Sequence, residues 1–344
     1  MPESIELEGG LFPEILGDSA TWDATRLGGG ANNRVLHLKK DGQEYTLKQY
    51  SRTGERDRYT SEKVFYGWAA EAGSRQIPRP IAWEDGTQSG LFSYVAGKAT
   101  PSRARENDVL QAAEFIVALN QKRETANRLP IPEAADTGDW PTQHARIQAR
   151  VERLQNLSSR TPLRRELENF LAGEFLPAWE KVSDEFQTIL SHEPELAKPL
   201  AKEMCILSPS DFGFHNALSG GDGRLTFFDF EYAGWDDPAK TASDFLRQPR
   251  HTVPEQYWQG FLQAVSQLTP EPEQFLLRTR YLLPLHNFKW CCIFLNEFLP
   301  GHSPRRLAAS GKDPQETQTL RVQIEKARYH LNSFQPTLDQ AWPT

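Results

Sequence analysis

The pattern of apolar and polar positions changes character near residue 96. Upstream, short apolar runs are separated by turn residues. "NRVLHLKK" sets Val35, Leu36 and Leu38 among polar neighbours, and Asp41-Gly42 follows directly. Asp-Gly between two such runs is a hairpin signal, and "EYTLKQY" reads as the returning strand. "RYTSEKVFYGWAAEAG" predicts a helix closed by Gly73. "IPRPIAWEDGTQSGLFSYVAG" predicts two further strands around a turn over residues 84–90.

Downstream the period becomes helical. Val109, Ala113, Ile116 and Leu119 share one face. "RRELENFLAGEFLPAWEKVSDEFQTIL" is helical, with Pro177 expected to bend or break it. "LSPSDFGFHNALSGGDGRLTFFDFEYAGWDDP", residues 207–238, interrupts the helices with a hairpin. There "NAL" pairs with "LTFFDF" across "SGGDGR", and Asp237 and Pro238 read as N-cap and first residue of the next helix. "QYWQGFLQAVSQL" and "PQETQTLRVQIEKARYHL" are further helices. The expected fold is α+β and bilobal. A small β-rich N-lobe spans 1–96 and carries one helix. A large α-rich C-lobe spans 97–344 and holds the substrate pocket.

Composition narrows the function classes. The chain has 344 residues, 38% of them hydrophobic and 25% charged, enough for two lobes with a real core. Its net charge of -7 argues against a general nucleic-acid partner and is compatible with small molecules. The most apolar long segment, "YLLPLHNFKWCCIFLNEFLPG", is broken by Pro284, His286, Asn287, Lys289 and Glu297, so a buried helix is expected rather than a membrane span. "MPESIELEGG" lacks a basic stretch followed by an apolar run, so no secretory signal is expected. Cys205, Cys291 and Cys292 form no disulfide framework, and a cytoplasmic location is expected. Neighbouring thiols point about 100° apart on a helix. Cys291 and Cys292 with His286 therefore read as buried core residues, not a metal site. The oligomeric state is open.

Candidate chemistry concentrates in residues 207–238. A carboxylate at a strand end beside an amide from a neighbouring loop makes an all-oxygen site suited to Mg²⁺. The hairpin joining Asn216 to Asp229 brings both to one end of the sheet. Asp211 lies on the loop leading in, where it can orient a substrate hydroxyl and accept its proton. The small lobe supplies a complementary half. "LGGGANN" contains Gly28, Gly29 and Gly30, a turn whose backbone amides can cover phosphates. Lys48 on the next strand can reach those phosphates, and Glu62 on the following helix can pair with Lys48. Each feature alone has an ordinary explanation as turn, cap or solvated charge. The ordered set, each member in its expected strand or helix, points to chemistry.

This set resembles the protein-kinase-like fold, and more narrowly the aminoglycoside phosphotransferase and choline kinase-like family. "DFGFHN" has that family's aspartate-to-asparagine spacing, which protein kinases share. "FFDFEYAGWDDPAKTASDFL" is similar to the family's metal-binding segment, and "LFSYVAG" looks like the adenine-binding hinge around Ser93 to Val95. The resemblance covers roughly residues 25–300. It implies ATP and Mg²⁺, with transfer of the γ-phosphate to a small-molecule hydroxyl. Two departures stand out. Pro209 replaces the histidine usual two residues before the catalytic aspartate, and Thr241 replaces a frequent aspartate, for which Asp244 is the candidate substitute. Pro209 motivates an alternative, a nucleotide-binding pseudokinase. A protein kinase is the other, although the metal-binding segment reads "DFE" at 229–231 where protein kinases have "DFG", and a long activation loop is missing. Transfer of the nucleotidyl group is a third. Glu231, Trp235, Asp236 and Asp237 read either as an acidic, aromatic wall for an amine substrate or as packing and a cap, with Asp237 favouring the cap. His215, inside the catalytic loop, could touch a phosphate but reads first as a loop-packing residue.

Overall fold

The computed structural model describes residues 4–5, 7, 10–28, 33–52, 56–157, 163–299 and 316–333. A six-stranded antiparallel sheet builds the small unit from β1 (Ser4–Ile5), β2 (Asp23–Arg26), β3 (Arg34–Lys40), β4 (Gln43–Gln49), β5 (Pro80–Glu84) and β6 (Ser89–Ser93). Their order is β1-β2-β3-β4-β6-β5. Asp41 (φ 49°) and Gly42 (φ 79°) both take the left-handed conformation that a tight β3–β4 turn demands. This pins the register at Lys40 opposite Gln43 and Val35 opposite Lys48. Leu36, Leu38, Leu47 and Leu91 bury one face completely.

Helix α1 (Arg58–Glu71) is capped by Asp57, which accepts from Thr60 N. Its Phe65, Tyr66 and Trp68 join the large helical core, as does Phe92 from β6. Trp68 Nε1 donates to Leu119 O at 3.0 Å. Helix α1 therefore belongs by packing to the large unit, although the chain places it between two strands of the small one.

The large unit is built from α2 (Glu106–Asn120), α3 (Trp140–Gln155), α4 (Arg164–Phe170), α5 (Leu176–His192), α6 (Pro238–Leu246), α7 (Trp258–Ser266), α8 (Pro272–Leu295) and α9 (Glu316–Asn332). The predicted face of α2 is buried at Val109, Ala113, Ile116 and Leu119. A π-turn over Leu171–Phe175 joins α4 to α5, and Pro177 falls in the first turn of α5. The wider turn absorbs the pitch change at the position where a proline ring would crowd a continuous helix. Helix α8 is the central strut, with contacts to α3, α6 and α9. Cys291 and Cys292 are buried on it as expected, and burial raises both thiols. No helix among the described residues is long and apolar enough to cross a membrane.

Two small sheets carry the chain through the candidate site. The expected hairpin forms between β9 (Ala217–Ser219) and β10 (Leu225–Phe227), with Ala217 opposite Phe227, and β7 (Lys98–Ala99) adds to its edge. A second pairing was not legible in the sequence: β8 (Ile206–Ser208) runs antiparallel to β11 (Gly234–Asp236). The buried Asn120 at the end of α2 closes the other side of β8. Its amide donates to Leu207 O at 3.0 Å and accepts from Leu207 N at 2.8 Å. Replacing Asn120 by Leu leaves two buried backbone groups without partners, each worth about 1–3 kcal/mol. Chemical denaturation of Asn120→Leu is expected to show a loss of roughly 2–6 kcal/mol; an unchanged midpoint would show that water serves Leu207 equally well.

Candidate active site

The centre is a buried ammonium. Lys48 extends from β4 and is shared by carboxylates from two other segments. Its Nζ lies 2.5 Å from Glu62 Oε2 on α1, 2.5 Å from Asp229 Oδ1 after β10, and 3.9 Å from Glu231 Oε2. Burial, the largest influence, pulls Lys48 down. Asp229, Glu62 and Glu231 outweigh it and hold the ammonium above its ordinary range. For Glu62, burial is the main reason its carboxyl rises to about 7; Lys48 opposes the rise, and Asp229 and Glu231 add to it.

Glu62 also fixes the neighbouring segment. Its Oε1 accepts from Phe230 N at 3.0 Å. The Phe230 ring sits 5.0 Å from Phe65 and 5.1 Å from Tyr66, both on α1. Asp229 is thus followed by a residue anchored through backbone and ring. Asp229 itself holds φ 69°, a conformation rare for a residue with a side chain. Glu62, Asp229 and Glu231 place one oxygen each within 4.8 Å of one another. Three carboxylates against one ammonium leave an excess of negative charge, and their hard oxygens match the donor set of a divalent cation such as Mg²⁺. Asp229 remains about one-third exposed, so the cluster opens to solvent.

Glu231, which the sequence left between wall and packing, is held by contacts that the sequence did not announce. Asn33, at the end of the Gly-rich turn, donates to Glu231 and accepts from Ser51 N at 3.2 Å. Arg56 donates to three backbone carbonyls: Glu231 at 3.1 Å, Glu133 at 3.0 Å and Ala233 at 2.8 Å. These contacts join residues about 175 or more positions apart for Glu231, and no local pattern announces them.

The catalytic-loop candidates lie next along the chain. Asn216 Nδ2 donates to Asp211 O at 3.0 Å, so the amide closes the loop on itself. Asn216 O accepts from Phe228 N at 3.0 Å, which sets Asn216 across the hairpin, one residue from Asp229. His215 is closer to Asp211 than its reading as a packing residue implied: Nε2 lies 3.2 Å from Asp211 Oδ1. Burial pushes the Asp211 carboxyl up, but the hydrogen bond and charge of His215 outweigh it and hold it below the usual range. A Cβ on Gly213 would fall 2.8 Å from His215 Nδ1, so the absence of a side chain there admits the imidazole. In front of the loop, Ser210 takes φ 65° and its N donates to Ser208 Oγ at 3.0 Å.

The remaining predicted positions fall as follows. Gly28 is the last described residue before the Gly-rich tip; Gly29 and Gly30 lie outside the described residues. Ser93 ends β6, and both its N and its Oγ are committed to Arg79 at 2.9 Å. Val95 follows in the connection between the units. The acidic wall suggested for an amine does not form. Asp236 is buried against Lys240 at 2.8 Å. Asp237 caps α6 and pairs with Arg278. Asp244 meets Lys289 at 2.8 Å, Lys240 at 3.2 Å and His286 at 3.2 Å.

A small antiparallel sheet with one helix, a lysine–glutamate pair and a hairpin-borne acidic cluster beside a helical unit define a kinase-like protein. The comparisons agree. The model of the Phosphotransferase enzyme family matches residues 23–275, and the chain belongs to that family. It is a small-molecule phosphotransferase. The fold is similar to choline kinase LicA from Streptococcus pneumoniae, with TM-score 0.56 and 14% identity over 94% of this chain and 98% of that one. It is also similar to an ethanolamine kinase from Plasmodium vivax, with TM-score 0.57 and 13% identity over 95% and 87%. A spectinomycin phosphotransferase solved with ADP and spectinomycin gives TM-score 0.56 and 11% identity over 94% and 98%. Among curated proteins, none matches the chain in sequence.

The Asp211–His215 contact has a measurable consequence. A carboxyl held below its unfolded value stabilises the fold above that value, and the contribution is lost as pH falls through the folded value. In His215→Leu, burial is left to dominate, and the Asp211 carboxyl is expected to titrate upward by carboxylate carbon-13 NMR. An unmoved Asp211 resonance would show that His215 does not set its charge.

Proposed function

We propose that the chain is an ATP-dependent kinase that transfers the γ-phosphate to a hydroxyl of a small molecule. The observation that supports it best is the Lys48 ammonium held between Glu62 and Asp229, with the Asp211 loop beside it. Lys48 is positioned to meet the phosphates of the nucleotide, with Glu62 fixing its direction and Asn33 tying the Gly-rich turn to the same cluster. Val95 and the chain around it would receive the adenine through backbone groups, with the paired Ser93 serving as the fixed end of that connection. Mg²⁺, held by Asp229 and Asn216 with Glu231 next to them, would neutralise charge on the phosphates and orient the leaving group.

Asp211 faces the acceptor hydroxyl in this scheme. Its depressed carboxyl is ionised at neutral pH and can accept a hydrogen bond from the incoming alcohol. Such a weak base contributes mainly by aligning the oxygen with the phosphorus, and positioning supplies most of the acceleration in phosphoryl transfer. The proton passes to Asp211 as the O–P bond forms and the bond to ADP breaks. The part the missing histidine plays in relatives falls here to other contacts: Ser208 on Ser210, Asn216 on Asp211 and His215 on Asp211.

Asp211→Asn and Asp229→Asn are isosteric changes that remove one charge each. Each is expected to lower the rate of acceptor-dependent ADP release by about a thousandfold or more, the scale of a lost charge or positioning contact in a preorganised site. Near-wild-type turnover in Asp229→Asn would contradict the proposal.

A further inference from the structure

One cavity is lined by none of the residues assigned to the kinase reaction. It opens between the segment after α6, the last turns of α8 and helix α9, with a volume of ≈ 540 Å³. That volume is in the range of small-ligand sites. Gln248 stands between it and the catalytic loop. This side chain is buried, lines the cavity, and packs on the loop, where a Cβ on Gly213 would fall 2.9 Å from Gln248 Cγ. A molecule in the cavity is therefore kept from Asp211, and the cavity is not an acceptor site.

Its lining is charged and polar against the trend of the whole chain. The protein has a net charge of -7, yet Arg247, Arg250 and Lys326 line this cavity against one carboxylate, Glu325. Arg247 is buried and bonded to Asn287 Oδ1 at 2.5 Å; burial brings it down to about 10, so it stays cationic at neutral pH. Trp290 and His330 belong to the same wall, and His330 is only 7% exposed. Trp290 Nε1 and His330 Nε2 are buried without a protein partner. Buried polar atoms are normally paired, so these two nitrogens leave hydrogen bonds for a ligand to make. Burial, then the charge of Arg247, lowers His330 to about 3, which leaves the imidazole neutral beside the guanidinium.

The rest of the lining is apolar. Val253, Ile293, Phe294 and Val322 supply a continuous surface beside the cations. Tyr329 joins them and is 73% exposed, more than any other large apolar side chain among the described residues. An apolar wall with an exposed aromatic ring at its edge and three cations around it suits an anion carried on an apolar body. A bare inorganic ion would leave that wall unused.

Gln248 also links the cavity to the chemistry. Its Oε1 accepts from Arg250 N at 3.2 Å, so the backbone of a lining cation is tied to the side chain that packs on Gly213. Gly213 lies against the His215 ring, whose Nε2 is 3.2 Å from Asp211 Oδ1. We infer that this cavity is an effector site: a small anion with an apolar body, a carboxylate or a phosphate ester, seats on Arg247, Arg250 and Lys326 and shifts Gln248 against the loop that carries Asp211. Carboxylate and phosphate share this chemistry, and binding separates them.

Calorimetric titration of the full chain, without nucleotide, compares benzoate and phenyl phosphate with benzyl alcohol and inorganic phosphate. At least one of the two aromatic anions is expected to bind about tenfold tighter or more than both benzyl alcohol and inorganic phosphate. Which one it is distinguishes carboxylate from phosphate recognition. Arg250→Glu and Lys326→Glu alter exposed positions and are each expected to weaken that anion about tenfold. Saturation with it is expected to move the carboxylate carbon-13 resonance of Asp211 in the wild type. The same resonance is expected to stay in place in Gln248→Ala, which keeps the three cations and loses the contact with Gly213. No binding of either aromatic anion, equal binding of benzyl alcohol, or indifference to both charge reversals would overturn the inference. So would an Asp211 resonance that saturation leaves unmoved, or one that moves equally in Gln248→Ala. Each of these readouts is taken without nucleotide, so none depends on Mg²⁺-ATP binding, with which the kinase reading stands or falls.

Discussion

The structure depends on a buried lysine that needs more than one carboxylate. An ammonium taken out of water is costly unless charge and hydrogen bonds replace the solvent. Lys48 finds Glu62 and Asp229 at equal distance, with Glu231 beyond. These groups come from a strand of the small sheet, the helix behind it and the end of the hairpin in the large unit. One electrostatic requirement therefore holds three segments in register. Removing Lys48 would leave three carboxylates facing one another. Removing Glu62 would release both the lysine and the Phe230 backbone amide.

Around that centre, backbone constraints replace bulk. Asp229 and Ser210 occupy left-handed conformations that side chains rarely adopt; Phe230 directly after the one, and Phe212 two residues after the other, are buried in the large core. Phe212 and Phe230 act as nails beside strained residues. Asn120 clamps β8 just before the loop, and Arg56 clamps the chain just after the acidic cluster. The acidic residues downstream serve the scaffold: a buried set of matched charges holds α6 to α8.

Much of this was legible in the sequence because it is local. Asp41-Gly42 announces its turn through backbone conformation alone, Asp237-Pro238 announces a helix start, and Asn216 and Asp229 are tied by one short hairpin. Lys48 and Glu62 were legible as an ordered motif in the right elements. What escaped depends on partners far away in the chain. Asn33 with Glu231, Arg56 with three carbonyls and Asn120 with Leu207 have no spacing signature. Asp237 was legible as the cap it is, but the buried partners Lys240 of Asp236 and Arg278 of Asp237 were not, because a sequence does not show which cations wait inside.

The proposed kinase chemistry rests on the Lys48 cluster receiving a metal–nucleotide complex. The most direct measurement is a calorimetric titration of ATP, with and without Mg²⁺, into the wild type and Asp229→Asn. Mg²⁺ is expected to strengthen binding in the wild type, with that dependence lost in the variant. Equal binding with and without Mg²⁺ in the wild type, or no binding at all, would contradict it.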